Sequence, residues 1–236
     1  EPNTPMTTNE TLHSVTRDPT SFIDTQVLKQ IISTLHEELP PPEAGNPNSP
    51  GWLTDDAGED EHAAAEDDTV ETIRLAAALH RFVYTRSEYG ENLEGGLNHS
   101  PTETLEKGGN CADQSLLLYA LYREAGIEGR ITSAEQSGGG AHHAFVECGF
   151  EIDPQRVIDV LSDYYNQTGV ISSGRFHFFE ADGMTYLIAD PVAARFLGDR
   201  AGLDDMGYIG ADGSLIINRR FTLYGEEKNP QPVAQD

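Results

Sequence analysis

Apolar positions recur along this chain first with a helical period and then with a strand period. Phe22, Ile23, Val27, Leu28, Ile31, Ile32 and Leu35 predict a helix from about Ser21 to Leu39, stopped by Pro40-Pro41-Pro42. Val70, Ile73, Leu75, Ala76, Leu79, Phe82 and Val83 predict a second helix from about Asp68 to Tyr84. A third runs from near Cys111 to Gly126. Its stretch Leu116–Tyr122 is apolar almost all round, the pattern of a buried helix, and Gly126 is placed to end it. Beyond Gly126 the period shortens. Strands are expected at Gly129–Ala134, His142–Phe150, about Phe176–Glu180, Met184–Ala189 and Ser214–Asn218, with a short helix at about Pro154–Asn166. Gly138-Gly139-Gly140 and Ala181-Asp182-Gly183 read as turns.

Helices first and an antiparallel meander afterwards make the expected class α+β. Residues 1–20 are polar and extended, 40–68 a Pro/Gly/acidic linker holding Trp52, and 85–103 loop-like. No internal repeat occurs. The expected organisation is an extension over 1–65 with one helix and its acidic linker, a domain over 66–225, and a polar tail over 226–236.

Charge changes this picture most. Forty acidic residues against fifteen basic ones give a net charge of −25, and only Lys29, Lys107 and Lys228 are lysines. Such a chain repels phosphates, so nucleic-acid partners are excluded. The balance resembles that of proteins from salt-loving, haloarchaeal-type organisms. Near-molar salt shrinks the screening length to about 3 Å, so the fold is expected to loosen below it. The densest acidic stretch is Asp55, Asp56, Glu59, Asp60 and Glu61, with Glu66, Asp67 and Asp68 beyond. It lacks the ligand spacing of a calcium loop and reads as solvated linker. No run of apolar residues is long enough for a membrane span. Two cysteines do not form a disulfide framework. The chain opens at Glu1, so processing from something longer is expected. With sequons at Asn9, Asn98 and Asn166, an extracellular or cell-envelope location is the first expectation, and the cytoplasm or a virion the alternatives.

Three segments carry candidate chemistry. In Gly108-Gly109-Asn110-Cys111-Ala112-Asp113-Gln114 a cysteine opens a buried helix, where free N–H groups and the helix dipole favour thiolate. His142-His143-Ala144-Phe145-Val146-Glu147 places a histidine pair at the head of an apolar strand. Only one of the two can face the thiol, because side chains alternate. In Tyr186-Leu187-Ile188-Ala189-Asp190-Pro191 an aspartate ends a strand, where it could orient an imidazole. Read alone, each segment also fits a structural residue.

Together, Gly109-Asn110-Cys111-Ala112-Asp113, Leu116–Tyr122, Arg123–Arg130, His143–Glu147 and Asp190-Pro191 resemble the transglutaminase-like superfamily over about Thr69–Pro191. The resemblance implies a papain-like fold, with the cysteine at the start of a buried helix packed on an antiparallel sheet. It implies Cys111 as nucleophile, His143 as general base and acid, and Asp190 as the orienting carboxylate. The reaction would be attack on a peptide or carboxamide bond through a thioester, ending in hydrolysis or transamidation of a protein or peptide substrate, with no cofactor and no metal. The Cys111 N–H would be one oxyanion donor and Tyr84 or Tyr89 a second, ahead of the more distant Trp52. Asn110, Gln114 and His142 flank the cleft. Two features depart from the family pattern. The gap from His143 to Asp190 is long, so 151–175 reads as an insertion, a helical flap shaping the cleft. Asp153 is a rival for Asp190, which is favoured because a well-marked strand leads into it. Cys148 falls on the strand face opposite His143 and reads as a packed residue.

Two other readings compete. The fold could serve as a non-catalytic structural or binding module of a cell envelope or virus particle, with helix 21–39 as a docking element; that helix is expected instead to pack on the domain. Zinc on Cys111, His142, His143 and Asp190 lacks supporting ligand spacing.

Overall fold

Helix α1 (Thr25–Glu37) begins where the Asp24 carboxylate accepts from the Gln26 N–H at 3.1 Å, shorter at both ends than its apolar pattern suggests. Leu28 is buried, and Ile31, Ile32 and Leu35 pack against the same core, so α1 lies on the domain. Burying a leucine this fully contributes about 2 kcal/mol. The computed structural model describes residues 24–41, 61–90, 93, 95–170 and 175–221. Trp52, Asn9 and the acidic positions Asp55–Asp60 lie outside the described residues. Glu61–Asp68, expected as linker, are instead the first two turns of α2 (Glu61–Arg86), which starts before the boundary expected at residue 66. Its buried face is Val70, Ile73, Ala76, Ala77, Leu79 and Val83.

The stretch read as loop over 85–103 ends in a short helix, α3 (Pro101–Lys107). Ser100 caps it, Glu103 returns the bond to the Ser100 N–H, and Pro101 fills the first turn. Helix α4 (Cys111–Glu124) is buried from Asp113 to Tyr122, as its all-round apolar pattern requires. Gly126, at φ 74°, lets the Ile127 N–H return to the Tyr122 carbonyl at 2.8 Å and closes the helix. Tyr122 donates its hydroxyl to the Ala76 carbonyl at 3.1 Å, tying α4 to α2.

Five strands follow: β1 (Glu128–Glu135), β2 (His142–Phe150), β3 (Phe178–Ala181), β4 (Met184–Ala189) and β5 (Ile217–Phe221). All pairs are antiparallel, but the order is β3-β4-β2-β1-β5 and not a meander. Asp182 (φ 53°) and Gly183 (φ 79°) form the two-residue turn between β3 and β4. Beyond β2 the chain first enters α5 (Pro154–Gln167), and β4 then pairs with β2.

Helix α5 is not a flap. Val157, Val160, Leu161, Tyr164 and Tyr165 are buried in the main core, and Arg74 of α2 ties it down through Asp163 (3.5 Å) and Gln167 (2.8 Å) while also donating to the Pro40 carbonyl beyond α1.

Alternation along β2 divides the interior. Val146, Cys148 and Phe150 face the large core shared with the helices. Phe145 faces a smaller core with Ala134, Ile188, Leu203 and Tyr208, closed by the segment carrying α6 (Ala201–Asp205). On that same face the Glu147 carboxylate is fully buried between Arg130 (2.6 Å) and Arg220 (2.9 and 3.1 Å). The architecture is α+β, with the long helices on one face of an antiparallel sheet and a cysteine opening the buried helix.

Candidate active site

The start of α4 is fixed by its own sequence. Asn110 accepts from the N–H groups of Ala112 (2.9 Å) and Asp113 (3.1 Å), and Asp113 accepts from the Asn110 N–H at 3.1 Å. The other oxygen of the fully buried Asp113 accepts from the Asn98 and His99 N–H groups at 2.7 and 2.9 Å. The preceding glycines are required by close approach. A Cβ on Gly108 would lie 2.4 Å from the Glu88 carbonyl oxygen, and one on Gly109 2.5 Å from Asp113 Cβ. The Gln114 N–H returns to the Asn110 carbonyl at 3.0 Å. These bonds use the amides of Ala112, Asp113 and Gln114 and leave the Cys111 N–H outside the cap.

Strand β2 brings His143 to this helix. Ser115, one turn after Cys111, donates its hydroxyl to the Ala144 carbonyl at 2.9 Å. The Ala144 N–H and the His143 ring are near enough to the Cys111 sulfur to favour its thiolate. His143 Nε2 lies 2.7 Å from Asp190 Oδ2, which leaves Nδ1 as the nitrogen for sulfur. The register explains the meeting. Val146 pairs with Ala189, so one residue further Asp190 falls on the same face as Phe145 and diagonal to His143. The other carboxylate oxygen of Asp190 accepts from Val192 (2.9 Å) and Ala193 (3.0 Å) N–H groups. His143 and Asp190 are almost wholly enclosed, and Cys111 is half-buried.

The electrostatics favour a charge-separated pair. Burial opposes the thiolate, but hydrogen bonds from His143 and the Ala144 N–H, with the nearby imidazolium, bring the Cys111 pKa below an ordinary thiol. Burial also opposes the imidazolium, but the bonds to Asp190 and Cys111 raise His143 to about 10. Cys148 is the opposite case, pushed up to about 12 by burial on the other face of β2. Both cysteines are free.

The remaining expected site residues divide. Tyr89 bridges Gly109 and is more than half exposed; after burial, the nearby Cys111 charge is what raises its phenol. Tyr84 instead stacks on His80, with ring centroids 6.2 Å apart. Asn110 and Gln114 do not line the cleft with free amides. Asn110 caps the helix and donates to the Gly96 carbonyl at 2.8 Å, and Gln114 donates to the carbonyls of Gly109 (3.0 Å) and Glu88 (3.3 Å). His142 is exposed opposite Glu135. Asp153, the rival carboxylate, is exposed and caps α5 through the Gln155 N–H at 2.9 Å. Among the described residues no cluster has the make-up of a metal site, and no helix is long and apolar enough to cross a membrane.

Sequence reasoning missed Tyr208, Ser115 and His80. The Tyr208 ring centroid lies 5.5 Å from that of His143, and the Phe145 ring is a second neighbour at 6.3 Å. It comes from a segment with no periodicity. Asp113 was open to view, since Asn110-x-x-Asp113 is a capping-box pattern.

The family model of the transglutaminase-like superfamily matches residues 60–159, which contain Cys111 and His143 but not Asp190. A candidate cysteine protease from Cytophaga hutchinsonii, known from its crystal structure, is 26% identical over 32% of this chain and 27% of that one, with a TM-score of 0.27. The aligned part thus spans about a quarter of that protein. No curated protein matches significantly.

Proposed function

We propose that this protein is a thiol-dependent acyl-transfer enzyme acting on peptide or carboxamide bonds. The observation that carries the reading is the chain of contacts from Cys111 through His143 to the buried Asp190, built from a helix and two strands. In the resting pair, Cys111 is thiolate and His143 imidazolium. The sulfur attacks the carbonyl carbon, and the oxygen that becomes negative lies against the Cys111 N–H at the positive end of α4. Tyr89 is the second donor, ahead of Tyr84. As the C–N bond breaks, His143 gives its proton to the departing nitrogen, leaving a thioester on Cys111 and a neutral imidazole. Water or an amine then attacks the thioester, His143 takes the proton of that nucleophile, and the thiolate leaves. Asp190 holds the ring so that Nδ1 faces sulfur in both halves. Water gives a peptidase or amidase, and an amine gives transamidation.

The test is the rate of Cys111 alkylation by iodoacetamide against pH, for wild type and His143→Ala, at high salt. Reaction well below the ordinary thiol pKa of about 8.5, lost in the variant, is the expected result. A rate that follows an ordinary thiol in both proteins refutes the reading and points to a binding or structural module.

A further inference from the structure

His80 is a fully buried polar side chain that the proposed chemistry does not use. It lies on α2 among core residues, and its Nε2 is 3.0 Å from the main-chain carbonyl oxygen of Asp190, 110 positions along the chain. A carbonyl only accepts, so Nε2 carries the proton and Nδ1 has only its lone pair. Nδ1 is buried with no hydrogen-bond partner. An orphaned buried acceptor is unfavourable, so an apolar residue of similar size would pack better there. What the imidazole supplies and an apolar residue cannot is the single N–H aimed at Asp190.

That carbonyl sits at a sensitive point. Strand β4 ends at Ala189, and Pro191 turns the chain. The Asp190 carboxylate is gripped from the turn side by Val192 and Ala193, while its carbonyl also takes the Ala194 N–H at 3.2 Å. All of those donors belong to the turn itself. Among the described residues, the hydrogen bond from the helix layer to the Asp190 carbonyl is that of His80, and the same layer carries Cys111. A rotation of this peptide would swing Oδ2 away from His143 Nε2, since the side chain leaves from the same Cα.

We propose that His80 is a positioning residue for the site: its hydrogen bond to the Asp190 carbonyl fixes the turn that aims the carboxylate at His143. The inference rests on the reading of Cys111, His143 and Asp190 as the reacting set. Tyr84 stacks on the same imidazole, with ring centroids 6.2 Å apart.

The experiment compares His80→Gln, whose amide N–H reaches about as far as Nε2, with His80→Asn, one carbon too short, and His80→Leu. Thermal melting identifies the folded variants. Two readouts follow: the downfield proton signal of His143 Nε2–H bound to Asp190, and the pH profile of Cys111 alkylation. His80→Gln is expected to keep both. His80→Asn and His80→Leu are expected to shift the proton upfield and lower alkylation at about pH 6 by about tenfold or more. Folded His80→Asn and His80→Leu proteins that retain the wild-type signal and profile overturn the proposal. If His80→Leu does not fold, the Gln and Asn pair decides. An ordinary thiol in the wild type refutes the catalytic reading separately, because the proton signal reports on His80 and Asp190 whether or not the sulfur is activated.

Discussion

Replacing Asp190 by asparagine changes one atom type, and the structure dictates how the new group must sit. Oδ1 accepts two backbone N–H groups, from Val192 at 2.9 Å and Ala193 at 3.0 Å, so an oxygen has to remain there. Turning the amide nitrogen toward those donors would forfeit two hydrogen bonds, each of about 1 kcal/mol net, and set donor against donor. The NH2 group therefore faces His143 Nε2, where the carboxylate accepted at 2.7 Å. Two donors cannot pair, so Nε2 becomes the acceptor and the ring proton moves to Nδ1, facing sulfur. A ring in that tautomer cannot take the thiol proton, and the support that raised His143 to about 10 is gone. The thiol pKa then moves back toward its ordinary value. Below that pKa, each unit of rise cuts the thiolate fraction about tenfold and returns about threefold in intrinsic nucleophilicity, so alkylation falls about threefold per unit. In turnover of a peptide or glutamine amide, the lost acid–base function amounts to about 10²–10⁴-fold, or about 3–5 kcal/mol. The assay is iodoacetamide alkylation of folded Asp190→Asn across pH. A profile superimposable on wild type refutes the reasoning. The sign for stability follows from the same pair. Folding raises His143, so its contribution is full below about pH 6.5 and is lost as pH rises toward 10. Folding lowers Cys111, so its contribution is full above the ordinary thiol pKa and fades as pH falls.

Gly109→Ala is expected to lower stability by about 2 kcal/mol, a fall in Tm of about 4–8 °C, and to blunt Cys111 reactivity. The new methyl meets Asp113 Cβ at 2.5 Å and Thr104 Cγ2 at 3.1 Å, and Asp113 cannot give way while three backbone N–H groups hold it. Melting together with alkylation checks it, and an unchanged Tm refutes the packing argument. With a net charge of −25, Tm is also expected to rise between about 0.1 and 1 M salt as the screening length falls from about 10 to 3 Å. A Tm indifferent to salt refutes self-repulsion as a term in stability.

The parts of the molecule visible in the sequence are those with a strong local period. Leu116–Tyr122 and its closing Gly126, the strand His142–Phe150, and Met184–Ala189 between its turn and Pro191 all fold within a residue or two of expectation. These carry Cys111, His143 and Asp190. Helix α3 escaped because seven residues without an apolar face give no periodic signal, although Ser100, Pro101 and Glu103 are a start signature. The strand order escaped for a different reason. The Asp182-Gly183 turn is local, but the pairing of β4 with β2 depends on α5 joining the core, a contact between distant segments. His80 reads in sequence as one more position on the buried face of α2, and its bond to a residue 110 positions away has no local signature. Tyr208 likewise arrives at His143 only through the packing of the second core.

That second core divides the site between two bodies of unequal strength. Cys111 opens a helix whose later turns belong to the large interior, whereas the His143 ring lies against Phe145 and Tyr208, members of a smaller cluster that has five buried side chains among the described residues and is closed by α6 and its flanking loops. Cooperative units with less buried apolar surface open at lower free energy than the whole domain. A transient peeling of residues 201–217 would uncover one side of His143 while leaving α4 and its thiol in their folded positions. On the proposed reading, the acid–base step is thereby tied to the smaller of the two cores. On the proposed reading of the site, the fraction of competent molecules then depends on the small core behind the sheet as well as on the helices around the sulfur.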